Sequence, residues 1–164
     1  MIADNLLPEF DQEMKTTRTL LERVPAEHIA FKPHPKSTTL GDLSLHVANL
    51  LTWTLLTIER EEFDVAAPDA FPKRTFTTTE KLIADFDALV VKARAALAAA
   101  SDETLQVPWT LRSGTHTVFT MPRVGVLRSF VLNHGIHHRG QLSVYLRMND
   151  VALPEMYGPT ADTR

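Results

Sequence analysis

Apolar side chains recur every three or four residues in four separate stretches of this chain, a period that confines most of it to helices with one buried face. In the first stretch, about Pro8 to Arg23, Leu7, Phe10, Met14, Thr17 and Leu21 share a face, and Pro8 suits a first helical turn. The second, about Leu40 to Glu61, aligns Leu43, His46, Leu50, Trp53 and Thr57 behind a Thr39–Asp42 pair at capping-box spacing. The third follows Thr77, which with Glu80 has the same spacing, and aligns Leu82, Phe86, Leu89, Ala93 and Leu97. The fourth runs from about Pro122 to Met148. Pro25, Pro33 and Pro35 break the first connection. Before the fourth helix, Trp109–Arg112 and His116–Thr120 are rich in β-branched and aromatic residues around a Ser113-Gly114 turn, which predicts a small β-hairpin. The expected fold class is all-α, a four-helix bundle; its long connections leave room for crossovers, so alternating up-and-down order is not assumed.

A length of 164 residues suits one domain over 1–164. The chain has no cysteine, which excludes disulfides, thiolate metal ligands and a cysteine nucleophile. The net charge is -3, and Lys and Arg are scattered singly. A nucleic-acid partner, which rewards concentrated positive charge, is not expected. No apolar run approaches the ~20 residues that span a bilayer, and the N-terminus lacks the pattern of a secretory signal. Neither a membrane association nor export is expected; the expected location is the cytoplasm.

The histidines are the chemically loaded part of the chain. On a helical wheel for the fourth helix, His134 and His138 stack one turn apart on a face with Leu127, Val131, Gln141, Leu142 and Tyr145. His46 lies on the apolar stripe of the second helix. If those helices face one another, three inward imidazoles converge, and three protein ligands leave a fourth position open, the pattern of catalytic zinc sites. A lone histidine on an apolar face is commonly a hydrogen-bonded core residue, but three buried imidazoles without a metal would each need a partner. His137 falls at the edge of that face, so a supporting or surface position is expected for it. Gln141 is expected beside the ligands, and Trp53 and Tyr145 along the pocket. His28, His34 and His116 are expected on the surface.

The segment NHGIHHRGQLSVYLRMNDVALPEMYGPTADT, residues 133–163, resembles the C-terminal signature of the DinB family of damage-inducible metalloproteins, which is unrelated to the polymerase sharing that name. TLGDLSLHVANL, residues 39–50, is similar to its histidine-bearing second helix, and the hairpin region matches as well. The resemblance implies a four-helix bundle of up-down-down-up order and a metal site on His46, His134 and His138. It implies dimers in many members. Among its relatives it implies thiol-dependent transferases and isomerases and hydrolases.

The expected cofactor is one divalent metal ion. Three imidazoles suit Zn, Ni, Cu or Fe, with Zn or Ni foremost. Such an ion acts as a Lewis acid on water or on a thiol. With no cysteine in the chain, a thiol would be an external low-molecular-weight cosubstrate. The expected function is a metal-dependent enzyme, a hydrolase or thiol S-transferase acting on a small molecule; no catalytic acid or base stands out, Asp42 lying only at the stripe edge. The alternative is a non-catalytic stress protein that binds metal or a small ligand. Finally, Leu132, Ile136, Val144 and Leu146 lie opposite the histidines with Gly135, Gly140 and Ser143, which predicts a homodimer through that outer face with Arg139 in or beside the interface.

Overall fold

The computed structural model describes residues 1–163. It is mostly helical with a small three-stranded sheet. Helix α1 spans Ile2–Leu21, α2 Leu40–Asn49, α3 Thr52–Glu59 and α4 Thr79–Ala99. A short α5, Asp102–Gln106, leads into strands β2, Pro108–Ser113, and β3, His116–Pro122. The last rod is continuous from Arg123 to Arg147. It comprises a first turn α6, Arg123–Val126, a π-helical segment, Leu127–Asn133, and α7, His134–Arg147.

Several boundaries differ from the sequence expectation, each for a local reason. Helix α1 starts at Ile2, six residues before Pro8, because the Ile2 N–H is held by the Asp102 carboxylate of α5 at 2.6 Å. The expected second helix is two. At Leu50–Leu51 the backbone tightens to i→i−3 bonds, Trp53 N–H to Leu50 and Thr54 N–H to Leu51, both 3.0 Å. The Asn49 side chain meanwhile donates to the Leu45 carbonyl at 2.7 Å, an acceptor the regular helix would use. For α4 the cap is Thr78, whose hydroxyl accepts the Lys81 N–H at 3.1 Å, rather than Thr77. Helix α7 ends where Asp150 takes φ 57 and the Val151 N–H returns to the Leu146 carbonyl at 3.1 Å. That is a Schellman-type stop that Asp tolerates through its short polar side chain.

The hairpin is present, turned at Gly114 with φ 62, where a side chain would be strained. The sequence did not announce a third strand: β1, Glu62–Asp64, pairs in parallel with β2. Trp109 anchors this sheet. It is fully buried with Phe63, Leu111 and Val126, and its indole N–H donates to the Leu56 carbonyl at 3.2 Å. Arg123 ties the same region together by donating to the Thr57, Thr104 and Arg60 carbonyls.

The main core draws on α1, α2, α4 and the last rod, with Leu20, Leu40, Phe86, Leu142 and Leu146 among its buried members. The expected stripe of α4 is buried except for the half-covered Leu89. Part of the outer-face expectation for the last helix is overturned. Leu132 and Leu146 are covered by their own chain, and only Ile136 and Val144 of the four stay exposed, at 36% and 55%. Arg139 is not at a surface either; it is 2% exposed. Its guanidinium pairs with the Glu13 carboxylate and donates to the Glu13 carbonyl at 3.0 Å and the Thr17 hydroxyl at 2.9 Å. The Tyr157 hydroxyl completes the group, accepting from Arg139 and donating to Glu13 at 2.7 Å. Burial and this bond to a carboxylate push the Tyr157 phenol up to about 12. The wheel misplaced Arg139 because it counts polarity, and a buried guanidinium with its donors matched is as much a core residue as a leucine.

Removing Arg139 strands Glu13 in the core. Arg139→Ala should cost about 3–5 kcal/mol in denaturant unfolding. Arg94→Ala breaks an exposed pair with Asp11 and should cost under about 1 kcal/mol. Equal losses for the two would show that the buried network contributes nothing special.

Candidate metal centre

Each of the three histidines is aimed by the burial of its neighbours. On α2, the Thr39 hydroxyl caps the helix by accepting the Asp42 N–H at 3.0 Å, and Leu40, Leu43 and Val47 are locked in the core. That fixes the rotation of α2 and turns His46 to the edge of the buried stripe. On α7, Arg139, Leu142 and Leu146 face the core, which turns His134 and His138 toward α2. The π-helical segment ends immediately before His134; such segments widen the helix by a residue per turn and recur at functional sites.

The rings meet. Their centroids are 5.3 Å apart for His46–His134, 4.5 Å for His46–His138 and 4.5 Å for His134–His138. One ring nitrogen of each lies within 4.8 Å of the other two, so the cluster could hold a metal ion. The Nε2 atoms of His134 and His138 are 2.7 Å apart. Two ligands of one tetrahedral zinc sit about 3.3 Å apart, given metal–nitrogen bonds near 2.05 Å, so a small side-chain adjustment reaches that geometry.

The protonation pattern suits the same purpose. The Gln141 side-chain carbonyl accepts from Nδ1–H of His138 at 2.7 Å. That assigns the ring proton to Nδ1 and leaves the Nε2 lone pair facing the cluster, the arrangement by which second partners orient metal ligands. The Nδ1 of His134 is buried with no hydrogen-bond partner among the described residues, and its Nε2 faces the Nε2 of His138. All three rings are pushed toward the neutral form. Burial lowers His46 to about 4, and the neighbouring His138 and His134 add to the effect. Burial also lowers His134, helped by His138 and His137. His138 is lowered by burial too, opposed by its bond to Gln141. Neutral imidazoles are what a divalent cation requires of its ligands.

One expectation changes. His46 does not point into the core: it is exposed, and His134 and His138 are half-buried. His46, alone of the three, forms part of the wall of a cavity of about 250 Å³. Trp53 lines that cavity. Tyr145 does not: its ring packs edge-on against Phe31 at 6.0 Å and its hydroxyl donates to the Thr38 carbonyl at 3.4 Å, two turns beyond His138. His137 is exposed, with its ring 4.9 Å from that of His138 but outside the ligating group. His28, His34 and His116 are exposed. The sequence reading missed Phe71 and Arg74, which close the cavity from the loop between β1 and α4; that loop has no period to read. It also set Asp42 aside, yet Asp42 shares the cavity wall one turn before His46.

A model of the DinB family matches residues 1–163. The chain belongs to the DinB family. Among individual proteins it is 24% identical over 166 residues to an uncharacterized protein, YrdA, of Bacillus subtilis, covering 97% of this chain and 90% of that one. Two crystal structures of DinB-like proteins have the same fold. The Bacillus subtilis protein YjoA superposes with TM-score 0.69 at 20% identity, over 93% of this chain and 96% of that one. A Bacillus cereus protein gives 0.73 at 21% identity, over 94% and 97%. The DinB signature read from residues 133–163 therefore stands, and its histidines are those the folded chain gathers.

Gln141 makes its bond to His138 from an exposed position, so its loss should leave the core intact. Gln141→Leu should weaken zinc binding about 10- to 100-fold in a chelator competition, with the melting curve of the stripped protein unchanged. Unchanged affinity would leave Gln141 without a part in the site.

Proposed function

We propose that this DinB-family protein is a metal-dependent enzyme that holds one divalent ion on His46, His134 and His138 and presents its open coordination position to a small molecule in the adjoining cavity. The reading rests on one observation above all: the three imidazoles converge with no fourth protein ligand grouped with them among the described residues, and one of them, His46, lines a cavity. A structural site would be closed.

The ion, zinc or nickel foremost, would supply Lewis acidity. The rest falls to the chain. Gln141 holds the His138 proton on Nδ1. Trp53 and Phe71 keep water from one side of the cavity. Asp42 offers a carboxylate within the cavity wall, able to accept a proton from a bound substrate. Hydrolysis and thiol S-transfer both fit this set; in the second, the thiol comes from an external cosubstrate, because the chain has none.

The frame we infer for the site is a four-helix bundle of up-down-down-up order over a single domain, 1–164. Supporting it, Asp11 and Arg18 of α1 pair with Arg94 and Asp87 of α4, so those helices run oppositely. Glu9 and Glu13 of α1 pair with Arg128 and Arg139 of the last rod in the same order along both, so those run together. His46 and Trp53 meet His138 and Phe130 in reversed order. A homodimer through the outer face of α7 belongs to the same reading, supported by exposed Ile136, Val144 and Met148. So does a cytoplasmic location with no nucleic-acid or membrane partner; no helix among the described residues is long and apolar enough to cross a membrane.

The direct test is metal content in untagged protein. Wild type should carry about one equivalent per chain, and His46→Ala, His134→Ala and His138→Ala should each lose most of it. Loading the wild type should raise Tm, because the ion binds only the folded state, and light scattering of the same samples should give twice the chain mass. Full metal in all three variants would place the site elsewhere, and a monomeric mass would remove the dimer.

A further inference from the structure

Beside His46 the cavity is walled by aromatic and aliphatic groups. Trp53 and Phe71 both line it, with ring centroids 6.0 Å apart and planes tilted by 48°. Phe71 is 57% exposed, an unusual place for a large apolar ring unless something is to be covered. Pro72 and Leu56 continue the wall. Such a surface takes an apolar body.

Arg74 sits on the same wall. Six other arginines, Arg18, Arg94, Arg112, Arg128, Arg139 and Arg147, have carboxylate partners, and Arg123 is held by three carbonyls. Arg74, like Arg23 and Arg60, has no side-chain hydrogen bond or ion pair among the described residues, but it alone of these three lines the cavity. Asp42, across the same cavity, accepts from the Thr39 hydroxyl at 2.7 Å and stands in the first turn of α2, where a negative charge is favoured. The acid has a local task; the guanidinium has none. A planar fork of donors beside an apolar wall is suited to a carboxylate.

Size narrows the choice further. An engineered apolar cavity of about 150 Å³ holds one benzene, so a cavity of about 250 Å³ takes roughly ten non-hydrogen atoms. The Asp42 carboxylate repels a second negative charge, which disfavours dianions such as phosphate esters.

We propose that the cavity selects a small monocarboxylate with an aromatic or branched apolar body: the body against Trp53 and Phe71, the carboxylate on Arg74, and the reacting end toward His46. Naming this molecule a substrate rests on the metal-enzyme reading above; the recognition itself rests on Arg74 and the aromatic wall. It makes Arg74 the residue that sets charge preference.

The test is titration calorimetry of zinc-loaded protein, metal content measured on every sample, with 3-phenylpropionate and its neutral isostere 3-phenylpropanamide. The acid should bind wild type at least about tenfold tighter than the amide. Arg74→Gln should bring the two within about threefold while leaving metal content unchanged, and Phe71→Ala should weaken both. Both positions are exposed, so both variants should fold. Equal binding of acid and amide to wild type, or no binding of either, overturns the proposal. So does a preference for the acid that survives Arg74→Gln, since the carboxylate would then sit on the metal or another cation. If the three histidines hold no metal but the Arg74-dependent preference persists, the anion assignment stands and the metal-enzyme reading alone falls.

Discussion

Arg139 determines how the rest of the molecule is arranged. A guanidinium at 2% exposure is tolerable only when its donors are matched and its charge is met, and here α1 supplies Glu13 and Thr17 while the C-terminal tail supplies Tyr157. These bonds fix the rotation of α7 about its axis. The residue before Arg139 is His138, about 100° around the helix, so a guanidinium locked toward α1 turns the imidazole toward α2. The network that stabilises the core thereby also aims the site, although it touches none of the ligands.

Much of this was legible from the sequence because helix periodicity reports on faces. The wheel that placed His134, His138 and Gln141 together needed only the spacing, and the chain keeps them together. The same wheel failed at Arg139, Leu132 and Leu146, whose face packs against α1 and the core rather than outside. Periodicity tells that a face is apolar but not what covers it, and Arg139 looked like a surface residue because its partners lie 126 and 18 residues away. The break at Leu50–Leu51 was invisible for another reason: a few i→i−3 bonds change the path without changing the hydrophobic pattern. Strand β1 has three residues and owes its existence to β2, a pairing across about fifty positions that no local signal records.

The position of His46 bears most directly on function. A stripe reading sends the ring inward, but the caps and buried leucines of α2 stop it at the cleft. That difference separates a sealed core cluster from an accessible one. With one tautomer set by Gln141 and a cavity beside His46, the histidines could hold a metal ion, and the reading proposed above keeps a position on that ion for a ligand. In the reading proposed above, the loop carrying Phe71 and Arg74 decides what reaches it. Loops of this kind vary without disturbing the helices that hold the ligands, so shared fold among DinB-like proteins leaves the substrate to be settled chain by chain.

X-ray absorption spectroscopy of the zinc-loaded protein tests the central claim most directly. The account predicts three imidazole nitrogens at about 2.0–2.1 Å and one further light atom from solvent or a bound small molecule, in a four-coordinate shell. A shell with fewer than three imidazoles, or one closed by a fourth group from the chain, would contradict it.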